Sequence, residues 1–188
     1  MTESSIFEPT GRAVAYVDEG EGPVTLVLIP GRGLDADVLG VISHYLAEEA
    51  GFRVVRIDSG SQGEETLEER VADTLAVIDH LGIEDTWIGG HGLGGTVART
   101  FANAHTDRVN GLLLLGVEDV DIPLPPVMPV LIIQGSDDEV TVPATGDKLQ
   151  ATAPERASLK TLEGADHLFP ATHPVDAAVI IEEYLDWD

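Results

Sequence analysis

Cysteine is absent from this chain of 188 residues. Its absence excludes disulfide bonds, a thiolate nucleophile and any metal site built on sulfur ligands. A continuous apolar stretch of about 20 residues, the length that a bilayer-spanning helix needs, is also missing. The opening residues, MTESSIFEPT, hold neither the basic segment nor the apolar segment of a secretory signal. We therefore expect a cytoplasmic protein with no membrane partner.

Basic residues are scarce: 10 Lys and Arg stand against 34 Asp and Glu, and only Lys148 and Lys160 are lysines. The resulting net charge of −24 repels phosphate, which makes nucleic acid and anionic membrane poor partners. The acidic excess has two interpretations: adaptation to high salt, where screening weakens the self-repulsion, or an ordinary acidic cytoplasmic protein. An apolar content of 43% argues against disorder and predicts one core, hence a single domain over residues 1–188.

Short apolar runs alternate along the chain with helix-like segments. The runs are continuous, as in strands that are covered on both faces. They lie at residues 24–29, 54–57, 86–88, 109–115 and 130–133. Helices are predicted at residues 37–50, 67–81, 93–104, 143–152 and 174–184. This alternation predicts an α/β fold, with a mostly parallel central sheet and helices on both of its faces. Residues 13–17 are expected to add an antiparallel edge strand.

A glycine-rich segment, GGHGLGG at residues 89–95, follows the third apolar run and extends into the start of the third predicted helix. A nucleophile elbow has the form G-x-S-x-G between a strand and a helix. Gly90, Gly92 and Gly94 keep its spacing, with glycine at the centre. The dinucleotide-binding form G-x-G-x-x-G also fits, but it belongs to a first strand–helix unit with an acid about 20 residues later. Residues 110–115 contain no acid, so an elbow is favoured over a nucleotide site or a purely structural turn.

The chain resembles the α/β-hydrolase family over essentially its whole length. VTLVLIPGRG at 24–33 looks like the family's strand and oxyanion loop, with a proline where histidine is common, and FRVVRID at 52–58 resembles the next strand. IEDTWIGGHGLGGTVA at 83–98 is similar to the elbow and its flanks. PVLIIQGSDDEVTVP at 129–143 resembles the strand that carries the catalytic acid, and GADH at 164–167 resembles the histidine loop. The order elbow, acid, histidine is the one that this family uses.

By this resemblance, Asp138 matches the acid of a catalytic triad and His167 matches the general base, which the acid would orient. Asp137 is an alternative acid if the loop is shifted by one residue. Glu118 or Asp119 would be the acid if it follows the preceding strand. Imidazole suits the base because its pKa lies near neutrality.

The oxyanion hole requires two backbone N–H groups, which position assigns to Leu93 and Arg32. The Arg32 side chain has two interpretations, a contact with a substrate carboxylate or a surface ion pair. His91, beside the centre of the elbow, is interpreted as a packing residue rather than a catalytic one. The remaining histidines are interpreted as structural. They are His44, His80, His105 and His173.

Gly92 occupies the nucleophile position and has no side chain with which to attack a substrate. Two origins fit this residue: a deliberate Ser→Gly substitution that disables an esterase, or a natural loss. In a natural member, His167 and Asp138 would activate a water, or the cleft would bind a ligand without hydrolysis. Ser59 and Ser61 do not replace the nucleophile, because they follow a different strand.

Members of this family commonly insert a lid between the strands that correspond to residues 109–115 and 130–133. Here only residues 117–128 join these two strands. We therefore expect an open, shallow site that takes a small-molecule ester or thioester. No metal or organic cofactor is expected, since no ligand cluster or phosphate loop is found. The predicted function is a lidless carboxylic-ester hydrolase site that is inactive with Gly92, and the alternative is a natural non-hydrolytic protein of the same fold.

Overall fold

The computed structural model describes residues 5–8, 14–31, 36–58 and 65–186. The strands are β1 (Ser5–Phe7), β2 (Val14–Glu19), β3 (Thr25–Ile29), β4 (Arg53–Asp58), β5 (Thr86–His91), β6 (Val109–Leu115), β7 (Val130–Gly135) and β8 (Ala157–Leu162). The α-helices are α1 (Gly40–Glu48), α2 (Leu67–His80), α3 (Leu93–Ala104), α4 (Pro143–Gln150), α5 (Phe169–Thr172) and α6 (Pro174–Leu185). None of the helices in these ranges is long and apolar enough to cross a bilayer.

The strands form one sheet in the order β1-β2-β4-β3-β5-β6-β7-β8. The six strands from β4 to β8 in this order run parallel to one another, whereas β2 is antiparallel to both of its neighbours. The predicted α/β fold with a mostly parallel sheet is confirmed. The carboxyl ends of β5, β6, β7 and β8 therefore lie along one edge of the sheet, which is where functional residues are expected in such folds.

Helices cover both faces of the sheet because successive residues of a strand point to opposite faces. Leu26 and Leu28 of β3 pack in one apolar cluster with residues of α1 and α6. Val27 and Ile29 pack in a second cluster with residues of α2, α3 and α4. Strands β5 and β7 are buried at every position, which accounts for their lack of alternating polarity.

The structure adds two strands, β1 and β8, that the apolar runs do not predict. Strand β8 lies at the end of the sheet and is buried only at its two ends, Ala157 and Leu162, with Lys160 and Thr161 exposed. Strand β1 pairs with β2. The antiparallel strand expected at residues 13–17 is therefore present at Val14–Glu19, but its predicted edge position is wrong. A three-residue strand such as β1 is too short to show a hydrophobic period.

Candidate active site

The turn between β5 and α3 holds Gly92 at φ +56° and ψ −113°. Glycine adopts this positive φ without strain, whereas a residue with a side chain does not. Gly94 lets α3 begin close to the sheet, because a Cβ at that position would lie 2.0 Å from the carbonyl oxygen of Ile29. The glycines thus form a tight strand-to-helix turn that places Gly92 at the carboxyl edge of the sheet.

His167 lies opposite Gly92, although 75 residues separate them in sequence. A Cβ built at position 92 would lie 3.5 Å from Cε1 and 3.7 Å from Nε2 of the His167 ring, an ordinary van der Waals distance. A side chain at position 92 would therefore lie beside the edge of the ring that carries Cε1 and Nε2. This is the arrangement in which an imidazole can take a proton from a neighbouring group.

Asp138 lies behind His167 and is only 3% exposed. Its Oδ2 is 3.0 Å from His167 Nδ1 and accepts a hydrogen bond of 2.6 Å from the Thr141 hydroxyl. Its Oδ1 accepts from the backbone N–H groups of Val140 (2.9 Å) and Thr141 (2.8 Å). Burial raises the pKa of Asp138, but hydrogen bonds from Thr141, His167 and Val140 outweigh it and hold the pKa below its ordinary value.

An ionised Asp138 fixes the tautomer of His167. A carboxylate only accepts hydrogen bonds, so Nδ1 of His167 carries the proton and Nε2 presents a lone pair toward position 92. The Thr141 hydroxyl also lies 3.1 Å from Nδ1. Asp138 and Thr141 together therefore orient the ring as a general base requires.

Thr141 is a candidate positioning residue that the family motif does not reveal. Asp138 accepts hydrogen bonds from backbone N–H groups two and three residues later, which is the local pattern of an aspartate that closes its own turn. A hydroxyl-bearing residue three positions after the acid is the signal that points to this contact.

The alternative acids lie away from the His167 ring. Asp137 is exposed and its carboxylate contacts the Ser136 hydroxyl at 3.4 Å. Glu118 accepts a hydrogen bond of 2.6 Å from the Thr96 hydroxyl of α3, and Asp119 is exposed. The structure thus brings Asp138 to His167 and places these three carboxylates elsewhere.

Leu93 is the first residue of α3 and directly follows Gly92. Backbone N–H groups in the first turn of a helix have no acceptor within the helix, so they are free to bind a developing negative charge. Arg32, the other predicted oxyanion residue, lies outside the described residues. Its position remains a prediction.

His91, the last residue of β5, is fully buried against the site. Its Nε2 is 2.7 Å from the backbone carbonyl oxygen of His167, and the two imidazole rings stack with centroids 4.4 Å apart. Burial, followed by the charge of His167, lowers the pKa of His91 to about 4. His91 is therefore neutral at physiological pH and forms part of the support of His167.

The loop at residues 116–129 contains no helix or strand and lies against α3. Arg99 donates to the carbonyl oxygens of Ile122 (2.9 Å) and Glu118 (3.3 Å), and Asn103 donates to that of Pro123 (2.9 Å). The loop, α3 and α4 line a cavity of about 720 Å³. The loop at residues 116–129, hydrogen-bonded to α3, thus stands where a cap domain would be inserted.

Metal ligands are not grouped in this part of the molecule. Within the ranges that the structure describes, no three His, Asp or Glu side chains lie together as a metal site requires.

Comparison with known proteins identifies relatives in sequence. Residues 25–171 match the sequence pattern of the alpha/beta hydrolase family. Epoxide hydrolase B of Mycobacterium tuberculosis is 36% identical over 77 residues, which cover 36% of this chain and 22% of that protein. The 2-hydroxy-6-oxononadienedioate/2-hydroxy-6-oxononatrienedioate hydrolase of Paraburkholderia phymatum is 34% identical over 117 residues, 55% of this chain and 39% of that protein. The matches thus span less than half of either relative.

A solved structure resembles the whole described fold. The esterase from Thermogutta terrifontis superimposes with a TM-score of 0.84 over 98% of each chain, at 20% sequence identity. At this identity, the likeness is one of fold alone.

Proposed function

The chain belongs to the alpha/beta hydrolase family, and on that premise we propose that its site is of the carboxylic-ester or thioester type, with Gly92 at the position of the nucleophile. The observation that carries this proposal is the closeness of position 92 to His167. A Cβ at position 92 would lie 3.7 Å from His167 Nε2, while the other ring nitrogen, Nδ1, is hydrogen-bonded to Asp138. This geometry supports a nucleophile–base–acid arrangement in which His167 would be the base, Asp138 would be the acid and position 92 would be the part that lacks a side chain.

The missing part determines what the chain does as it stands. In an acyl transfer through position 92, His167 Nε2 would take the proton of a serine hydroxyl while its oxygen attacked the carbonyl carbon. Gly92 has no such atom, so no acyl-enzyme forms. Loss of the nucleophile from a triad lowers kcat by about 10⁶-fold, and we expect hydrolysis by this chain to be correspondingly weak.

The proposed substrate is a small or exposed ester. The loop at 116–129 is held on α3, and the described residues include no cap domain over the carboxyl edge, so the acyl and alcohol parts of a substrate would meet an open surface. The N–H of Leu93 would bind the carbonyl oxygen as negative charge develops on it. The Thermogutta terrifontis protein, which shares this fold, is an esterase.

A second candidate function uses the space that Gly92 leaves in front of His167. A water in that space would give its proton to Nε2 and attack the ester carbonyl directly, after which the leaving alkoxide would take the proton back. A chain that binds an ester-like ligand without this step would be a non-hydrolytic protein of the same fold. Turnover by the present chain that disappears in H167A favours the water reaction, and binding without turnover favours the non-hydrolytic alternative.

The variant Gly92→Ser tests the proposal directly. A residue with a side chain at φ +56° carries roughly 1 to 3 kcal/mol of strain, which a folded domain can tolerate. We expect G92S to hydrolyse short p-nitrophenyl esters and to be labelled by a fluorophosphonate, whereas the present chain is not labelled. Its control is the double variant G92S/H167A, in which the serine has no base.

Two results would overturn the proposal. In the first, G92S retains the circular-dichroism spectrum of the parent but neither hydrolyses esters nor reacts with the fluorophosphonate. The site is then not of the carboxylic-ester or thioester type. Equal labelling of G92S and G92S/H167A shows that His167 does not activate position 92.

A further inference from the structure

His91 makes two contacts with His167, a hydrogen bond and a ring stack. The Nε2 atom of His91 is 2.7 Å from the carbonyl oxygen of His167, and the two rings are stacked at an interplanar angle of 29°. The edge of the Phe169 ring packs on the same imidazole, with centroids 6.0 Å apart. His91 thereby joins the end of β5 to the connection between β8 and α5.

The chemistry of these contacts assigns the tautomer of His91. A carbonyl oxygen only accepts hydrogen bonds, so Nε2 must carry the proton. Because burial lowers the pKa of the ring to about 4, Nδ1 is left as an unprotonated lone pair. Nδ1 is buried and has no hydrogen-bond partner among the described residues.

An unpaired buried nitrogen costs free energy, which a purely apolar side chain would avoid. Phenylalanine would fill nearly the same volume and would stack on His167 in the same way. What phenylalanine lacks is the N–H that binds the His167 carbonyl. The hydrogen bond from Nε2 therefore distinguishes histidine from a packing residue at this position.

We propose that His91 is a positioning residue, whose Nε2–H bond to the His167 carbonyl oxygen holds the His167 imidazole between Asp138 and position 92. The hydrogen bond to Asp138 fixes one edge of the His167 ring but leaves the ring free to pivot about that contact. The hydrogen bond from His91 ties the His167 backbone to β5 and removes this freedom, while the His91 ring packs on one face of the His167 ring. The catalytic meaning of this role rests on the proposed function, whereas the restraint on His167 does not.

A neutral ring suits this role. His167 would become positively charged whenever it takes a proton, and the Asp138 carboxylate at its Nδ1 would compensate that charge. A charged residue stacked at 4.4 Å would oppose that step, whereas neutral His91 does not.

Two substitutions separate the hydrogen bond from the packing. His91→Phe keeps a stacking ring and loses the donor, whereas His91→Gln loses the ring and can still present an amide N–H to the His167 carbonyl. The first readout is the proton NMR signal of His167 Nδ1–H, which lies far downfield while that proton is bound to Asp138. We expect the signal to persist in H91Q and to be lost or strongly broadened in H91F, with exposed His80→Phe as the matched control.

The second readout is the rate of fluorophosphonate labelling in the Gly92→Ser background. A displacement of the reacting groups by about 1 Å costs on the order of 100-fold in rate, so we expect H91F to slow labelling roughly 10- to 100-fold and H91Q to stay within about threefold. H91F that keeps both the downfield signal and the labelling rate of H91Q overturns the positioning role.

A measurement on the unmodified chain keeps the test independent of how the variants fold. Nitrogen-15 NMR should show His91 as the Nε2–H tautomer, with slow exchange of that proton. An Nδ1–H tautomer, or exchange as fast as at exposed His80, contradicts the proposal. If G92S is inactive while the NMR signals behave as expected, the proposed function fails and the restraint on His167 stands.

Discussion

Asp138 stays ionised in a nearly buried position because its neighbours surround the carboxylate with donors. Val140 and Thr141 contribute backbone N–H groups, Thr141 adds its hydroxyl, and His167 adds Nδ1–H. The pKa of Asp138 is therefore lower in the folded chain than in the unfolded one. A carboxyl group with a lowered folded pKa stabilises the fold above its unfolded pKa, and that stabilisation is lost as the pH falls through the folded value.

Substitution of Thr141 by valine tests this account. Thr141→Val removes the hydroxyl donor while keeping a similar volume, so the pKa of Asp138 should rise and the fold should lose about 1.5 to 3 kcal/mol near neutral pH. The loss should shrink as the pH falls and Asp138 becomes protonated. The measurement is urea unfolding across the acidic range. Thr161→Val on the exposed side of β8 serves as the control. A loss that is the same at every pH contradicts the account.

The family's motifs point to the residues at the centre of the candidate site but not to those that support them. Asp138, His167 and Gly92 follow from the order and spacing of the family's motifs, and the structure brings all three together. His91 touches a residue 76 positions later, and no local pattern indicates such a contact. The role of Thr141 depends on the conformation of the turn after β7, which a single residue type does not determine.

Continuous apolar runs predict the central strands because those strands are covered on both faces. Strands β5 and β7, with every residue buried, are the clearest cases. Strands β1 and β8 escape prediction because a strand at the end of a sheet needs neither length nor a fully apolar sequence. The four-residue helix α5 is likewise too short to show a helical period. Sequence periodicity therefore reveals the centre of this sheet better than its ends.

The loop that replaces a cap depends on one buried arginine. Arg99 is 2% exposed, and its guanidinium donates to two carbonyl oxygens of the loop, those of Glu118 and Ile122. The guanidinium reaches the two acceptors with two separate nitrogens in a fixed plane, whereas an ammonium group has a single nitrogen to place between them. Arg99 thus fixes the loop on α3.

Arg99→Lys should loosen this loop while keeping the charge. Leaving a buried carbonyl without its donor costs about 1 to 3 kcal/mol, so we expect a loss of that size in the free energy of unfolding. Amide hydrogen exchange across residues 118–128 should become faster. Arg53→Lys, at the partly exposed ion pair with Asp18, is the control and should cost less than about 1 kcal/mol. Equal stability and equal loop exchange in the two variants would show that Arg99 does not hold the loop.

The surface of the whole molecule is dominated by unbalanced carboxylates. The chain has 34 acidic and 10 basic residues, an excess of 34 − 10 = 24 negative charges. The arginines in the described ranges already bind carboxylates or carbonyl oxygens, and both lysines are exposed. The excess carboxylates therefore repel one another, and this repulsion is stronger in the compact folded chain than in the extended unfolded chain.

Added salt should stabilise this protein if the acidic excess is an adaptation to high salt. Raising KCl from about 0.1 M to about 1 M shortens the screening length from roughly 10 Å to roughly 3 Å, which removes most of the repulsion between surface carboxylates. We expect the free energy of unfolding in urea to rise over this range.

A variant that neutralises three exposed acids, Glu84→Gln, Asp147→Asn and Glu163→Gln, should be more stable in low salt and respond less to KCl. Sucrose, which stabilises proteins without screening charge, should stabilise the parent and this variant equally. Two results would contradict a charge-based adaptation. In one, KCl does not change the stability of the parent; in the other, the stability of the variant depends on KCl as that of the parent does.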